Sequence, residues 1–427
     1  MMKHRFLVCF SFISLFVSSL FSTHTVNRYF PFLEKPEDYI TQKRTYFSPA
    51  LFLTTASNAF RRSDGGRISI PALHGNYDLK NLIESLQSVK QDTTYNPFDD
   101  EPGYVDWNAK SAKFVVTGKI KSRGIILANQ FNLFKSDFSL GFFLPIMHVN
   151  TSQRFSFNAG ESDTVLQSIT TSEVELLDRV RREVHNEMNL AGDAWSKTGL
   201  GDLDLQLRFN HEWDHKFKMR TISLALQTGV LFPTGSTLDY DYACAVPFMG
   251  NKHWGAYIDA VTELELKQNW KLGFMFGFAD SFNRTSRQRI AVNEEPNPFS
   301  ALIGDVKINP GSIFKFSPYF TLENLSDGLH FHMRYGYVRH GYDKWVDKRS
   351  DQTVSSYLER GETNKDTKRN LTKWVMHYIS LQLRYDSTEA LKNWWLKPNF
   401  YMTYDHPFKA RGSSKTHQLT LGLELNW

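Results

Sequence analysis

At 427 residues, with 41% hydrophobic and 22% charged side chains, the chain is long enough for one large barrel or for two to three soluble domains. Its formal charge of +5 is mild and unclustered, which argues against a nucleic-acid partner. A mean hydropathy of −0.41, with no later stretch near the roughly 20 apolar residues of a spanning helix, excludes a polytopic helical membrane protein.

Residues 1–22 read as a secretory signal: Lys3 and Arg5 give a basic start, and the apolar run that follows is too short for a permanent anchor. Cleavage after Ser19 or Ser22 fits, and Cys244 is then the only cysteine, so an internal disulfide and a cysteine metal cluster are excluded. Residues 23–110 alternate poorly and are expected to form a periplasmic, plug-like segment. Within it, 45–54 is a candidate additional strand. Residues 78–89 read as a short helix, with Leu79, Leu82, Ile83 and Leu86 on one face. That stripe must bury, and the lumen of a barrel is the expected place.

From there the chain turns to period two, with apolar residues on alternate positions. Strands are expected at 112–121, 124–134, 137–149, 202–213, 216–230, 254–267, 270–282, 311–323, 328–342, 373–386, 395–406 and 415–427. In the first of them Phe114, Val116 and Ile120 are read as the lipid-facing set. A further helix is expected at 172–189, in the longest loop, with Val174, Leu177, Val184 and Met188 in a stripe. The closing strand is the plainest: Leu419, Leu421, Leu423, Leu425 and Trp427 alternate with Gln418, Thr420, Gly422, Glu424 and Asn426. A terminal aromatic on such a strand is the kind of signal that a barrel-assembly machinery reads.

The expected fold is therefore all-β: an antiparallel transmembrane barrel of about twelve strands over 111–427, or fourteen if the N-terminal segment adds two. Counted back from a periplasmic Trp427, the turns at 135–136, 214–215, 268–270, 324–327 and 387–394 are short. The connections at 150–201, 231–253, 283–310 and 343–373 are long and external; 122–123 and 407–414 complete that side.

Two stretches resemble a known family. Gly199-Leu200-Gly201-Asp202-Leu203 and Phe232-Pro233-Thr234-Gly235 lie on the two arms of one hairpin. They resemble the strand ends of outer-membrane proteins linked to phenol meta-cleavage degradation, within the FadL-like hydrocarbon and fatty-acid channels. The resemblance spans about 40 residues. It implies an N-terminal plug, a lateral opening and passive movement of small apolar or amphipathic molecules across the outer membrane of a diderm bacterium. The competing reading is a closed-lumen barrel that serves structure or surface contact.

The polar strand faces should line the lumen. They carry Asp202, Asp204, Glu212, Asp259, Glu263, Glu265, Glu323 and Glu424 against Lys113, Lys119, Arg208, Lys271, Lys315, Arg334, Arg384 and Lys397. Mixed signs favour cross-strand ion pairs over a strongly ion-selective pore. His330 and His332 project the same way at zinc-compatible spacing, but no third ligand is identifiable, and Asp239 with Asp241 make only a weak calcium candidate. His211 is followed at i+2 by Trp213 and His377 by Ile379, so neither strand face supplies a nucleophile beside a base. The expectation is no enzyme and no cofactor. The expected partners are outer-membrane lipids, the assembly machinery and a small-molecule cargo.

Overall fold

The computed structural model describes residues 27–33, 45–98, 110–133, 137–214, 220–356, 358, 371–387 and 397–426; the signal and Trp427 lie outside them. Twelve antiparallel strands close into one barrel. In chain order they are β1 (Tyr46–Ala56), β2 (Lys113–Asn132), β3 (Phe138–Phe157), β4 (Leu203–Asp214), β5 (Thr221–Phe232) and β6 (Gly255–Lys267). They continue with β7 (Trp270–Ser281), β8 (Ile313–Ser326), β9 (Leu329–His340), β10 (Trp374–Asp386), β11 (Lys397–Arg411) and β12 (His417–Asn426). Each pairs with its neighbours in sequence. The ring shuts where β1 meets β12, from Tyr46 opposite Asn426 to Thr55 opposite His417.

The wall follows from the alternation. On β12 the odd residues point outward and the even ones inward: Leu421 is 47% exposed, Gln418 2%. Leu51, Leu53, Leu140, Leu205, Leu207, Leu381, Leu383 and Met402 continue the exposed apolar belt around the barrel. A contiguous band of that kind is what a lipid-facing wall requires, and no apolar patch of that extent suits an aqueous surface.

The count of twelve is reached by a different route from the sequence reading. The two strands expected at 112–121 and 124–134 are one continuous strand, β2, paired without interruption to β3. Ser122-Arg123-Gly124 had the look of a turn, but Gly124 serves a close approach. A Cβ there would lie 2.0 Å from the Ile146 carbonyl oxygen and 2.7 Å from the Phe52 ring. Continuity fixes the facing: Phe114, Val116 and Ile120 point inward and are buried, while Lys119, Lys121 and Arg123 are exposed. The missing stave is supplied by Tyr46–Ala56, drawn from the segment 23–110. Parity then places the β1–β2 connection, residues 57–112, at the same end as the long loops rather than at the short-turn end.

Both expected helices form. Helix α1 (Leu79–Lys90) starts where the Asp78 carboxylate accepts the Lys80 N–H. Helix α2 (Thr171–Glu187) starts with a capping box between Thr170 and Glu173. Leu79, Leu82, Ile83 and Leu86 are all buried, but against α2 rather than deep in the bore. They share one cluster with Leu176, Leu177, Val180, Val184, Phe114 and Phe299. Together the helices cap the long-loop end, braced by the inward face of the tall β2–β3 hairpin. Short strands in the loops (Arg284–Arg289, Ile303–Asn309 and Lys344–Asp347) make a separate three-stranded sheet there.

Candidate functional site: the lumen and its mouth

The hairpin that carries the family resemblance is explained by one carboxylate. Asp202 is not a free lumen charge. It accepts the N–H of Gly235 at 3.0 Å and that of Gly250 at 2.8 Å, tying both ends of the 233–254 loop to the head of β4. Thr234 completes the latch through the Gly201 carbonyl at 2.6 Å and the Leu203 N–H at 2.9 Å. The glycines are required for the approach: a Cβ on Gly235 would sit 2.7 Å from the Asp202 carboxylate, and one on Gly201 2.6 Å from Pro145.

Below the rim the inward faces pair off. Asp204 accepts from the Tyr257 hydroxyl at 2.9 Å, and Gln227 donates to that hydroxyl oxygen at 3.0 Å. Arg208 donates to Asn210 at 2.9 Å. Nearer the short-turn end Lys271 bridges Glu263 at 3.4 Å and Glu323 at 2.9 Å, and the Tyr319 hydroxyl donates to Glu263 at 2.9 Å. Arg384 pairs with Glu424 at 2.8 Å. Arg334 lies over the Tyr378 ring at 5.6 Å, and Lys315 is buried on the inward face of β8. Glu265 sits at the lower rim, taking a hydrogen bond from Thr221 at 3.2 Å. Buried charges persist only when compensated in this way.

His330 and His332 have different surroundings. His332 engages Thr321 at 2.9 Å and stacks near Tyr319, while His330 lies opposite Arg384 on the next strand. Among the described residues no three potential ligands converge. Lys119, expected in the lumen, is on the outer surface.

A second device fills the bore along its wall. Four inward tyrosines lie directly opposite glycines on the adjacent strand: Tyr257 on Gly229, Tyr319 on Gly273, Tyr378 on Gly336 and Tyr401 on Gly422. Each ring occupies the space that a glycine Cβ would need, at 1.9–2.4 Å from its ideal position.

Inside the upper bore lies the heptapeptide Asn27–Leu33, ahead of the first stave and in the position of a plug. Asn27 folds its own turn by accepting the N–H groups of Tyr29 at 2.8 Å and Phe30 at 2.9 Å, and donates to the Met249 carbonyl at 3.0 Å. The inward face of β12 and the turn before it hold the rest. Ser414 donates to the Arg28 carbonyl at 2.6 Å, Thr416 to that of Tyr29 at 2.8 Å and Gln418 to that of Phe32 at 2.8 Å. Phe30 and Leu33 are fully buried, packed among Phe52, Ile126, Phe143 and Phe248, and Phe32 meets the Tyr378 ring at 4.8 Å. Three such side chains contribute about 1.5–3 kcal/mol each.

Above the plug, under the loops, lies a cavity of about 330 Å³. Its wall is mainly apolar (Leu238, Tyr242, Ala245, Met249, Ile290, Trp345, Trp374), with Arg28, His74, His253, His340 and Asp343 at intervals. His74 takes part in a 2.8 Å hydrogen bond with the Tyr29 hydroxyl of the plug; burial, helped by Arg28, pushes its pKa down to about 3. In the cap, His185 similarly meets the Tyr77 hydroxyl at 2.7 Å and is pushed down to about 3 by burial and then by Arg181 and Arg289.

No family model matches the chain, and no curated protein matches its sequence. Solved structures match the chain only at low similarity. An outer-membrane channel from Pseudomonas putida F1 is 11% identical, with a TM-score of 0.47 over 92% of this chain and 100% of that one. The transport unit of the autotransporter AIDA-I from Escherichia coli is 8% identical, with a TM-score of 0.37 over 93% of each chain. A FadL homologue from Pseudomonas aeruginosa is 8% identical, with a TM-score of 0.30 over 90% of each.

Proposed function

We propose that this barrel resides in the outer membrane, long loops outward, and admits small amphipathic molecules through the cavity at its mouth. The observation that carries the reading is that cavity: partly open beneath the loops, walled mainly by apolar surface with charged and polar side chains such as Arg28, Arg289 and Asp343 among it, and seated directly on the Asn27–Leu33 segment. Such a composition suits a small molecule with an apolar body and one polar end. Passage then requires the plug to shift, since Phe30 and Leu33 fill the bore below. The FadL-like resemblance of the 199–235 hairpin points the same way, and the C-terminal strand is the element offered to the assembly machinery. We assign no enzymatic step and no cofactor.

The second reading, a closed structural barrel, draws on the buried pairs Arg384–Glu424 and Lys271–Glu263 beneath the plug. Efflux of small aromatic and aliphatic alcohols and acids from proteoliposomes separates the two. Uptake predicts flux that falls when the cavity is filled by Ala245→Trp. Flux no greater than in empty vesicles, from correctly folded protein, leaves the closed barrel.

A further inference from the structure

The outer surface holds a feature that transport does not use. On three consecutive staves, β1, β2 and β3, the outward faces carry no carboxylate at all. They are apolar through Leu51, Leu53, Ile125 and Ile146, and then, on the long-loop side, abruptly cationic. Lys119, Lys121 and Arg123 occupy successive outward positions of β2, and Arg154 sits on β3 opposite Thr117. All four are exposed, and none forms an ion pair among the described residues. Successive outward residues on a strand lie about 6.6 Å apart, so the β2 cations form a ladder about 13 Å long, rising from the apolar edge. Their cross-strand neighbours carry no charge of opposite sign: Leu53 and Thr55 on β1, and His148, Asn150 and Ser152 on β3.

We infer that this ladder binds the phosphate groups of an outer-leaflet glycolipid whose acyl chains lie along the apolar faces of β1–β3. Cations just beyond the hydrocarbon edge meet lipid head groups, not bulk water. A row of unpaired lysine and arginine there is complementary to phosphate. Exposed loop cations elsewhere have acids among them, as in the Arg61–Asp64 pair at 3.3 Å. The ladder's position on rigid, doubly paired strands gives it the fixed spacing that a head group with two phosphates would read. The inference rests on the proposed orientation, long loops outward.

The test is native mass spectrometry of the folded protein in nonionic detergent, titrated with a bis-phosphorylated acylated disaccharide, its dephosphorylated form, or inorganic phosphate. The wild-type barrel should retain the phosphorylated lipid. The triple variant Lys119→Gln, Lys121→Gln, Arg123→Gln should bind it roughly 100-fold more weakly, about fivefold per cation. Exchanging the same residues conservatively (Lys119→Arg, Lys121→Arg, Arg123→Lys) should preserve binding. So should an equal loss of charge at Lys252, Lys344 and Lys348 in the loops. Retained binding by the glutamine triple overturns the site, as does equal loss in the loop control. Equal affinity for the dephosphorylated lipid, or displacement by equimolar inorganic phosphate, overturns the head-group assignment. Orientation is read separately, by labelling Ser350→Cys, exposed in a long loop away from the ladder, in a Cys244→Ser background on whole cells with an impermeant maleimide. Labelling with failed lipid binding removes this inference alone; protection removes the outward orientation and the outer-leaflet lipid together.

Discussion

Gly422→Val should destabilise the barrel although valine is the better strand former. Intrinsic strand preference alone would favour the change by up to about 1 kcal/mol. The structure reverses the sign. An added Cβ at 422 would lie 2.0 Å from the Tyr401 ring and 2.4 Å from its hydroxyl, so the ring must leave its place over the glycine. Tyr401 is 7% exposed and its hydroxyl meets Ser48 at 3.2 Å across β1. Losing that hydrogen bond costs about 0.5–1.5 kcal/mol. Forcing a bulky ring out of a packed site adds about 1–3 kcal/mol. The expected net loss is about 0.5–4.5 kcal/mol, centred on about 2.5, measured as the shift in urea unfolding of the lipid-refolded protein. The double-mutant cycle is decisive, because with Tyr401→Ala as background the same Gly422→Val change should cost under about 1 kcal/mol. Equal losses in both backgrounds, or no loss in either, would refute the argument that tyrosine occupancy is what demands glycine.

Other outcomes follow from the same geometry. Asp202→Ala removes two hydrogen bonds to a buried carboxylate, worth about 1.5–3 kcal/mol each; proteolysis within 233–254 should accelerate while the barrel stays folded, and an unchanged cleavage rate would count against the latch. Leu421→Arg places a charge on the lipid face at a cost of about 2–4 kcal/mol and should impair assembly. Gln418→Ala, on the opposite face of the same strand, should leave assembly intact but expose the plug to protease, and equal assembly defects would mean the facing is wrong. For His74 and His185 the folded pKa lies below the ordinary value, so their contribution is complete above about 6.5 and is lost as pH falls toward about 3. Hydrogen exchange in α1, α2 and the Asn27–Leu33 segment should therefore quicken on acidification through that window. A flat profile from pH 8 to 4, once intrinsic exchange is allowed for, would contradict it.

The wall was legible because alternation reports facing directly, and on β12 the odd residues Leu419, Leu421, Leu423 and Leu425 face outward as read. Three things were hidden. Gly124 marks close packing against Phe52, yet a glycine after Ser-Arg is indistinguishable in sequence from a turn, so one long strand was split. Its upper half is also inverted, since above the membrane the inward side packs on protein and the outward side meets solvent or head groups. Phe114, Val116 and Ile120 therefore face in. Strand β1 was weakly marked because Pro49 interrupts its outward apolar set. Among the site residues, the sequence grouped Asp202 with the lumen charges; only the fold brings Gly235 and Gly250 to it. The apolar stripe of α1, read as a plug element, buries against α2 in the cap at the long-loop end. The signal for the segment that enters the bore was present in the run Tyr29-Phe30-Pro31-Phe32-Leu33: too short and irregular for a strand or helix, but too apolar to stay in water.

The central claim is that residues 27–33 close a barrel that otherwise offers a path. Single-channel conductance in planar bilayers tests it most directly, comparing the full mature chain with a variant in which Tyr29, Phe30, Phe32 and Leu33 are all replaced by serine. The account predicts rare or very small openings for the native protein and sustained, larger ones for the variant, with both forms equally heat-modifiable. Equal conductance from two well-folded barrels would contradict it, and would leave the ion pairs lower in the bore as the barrier.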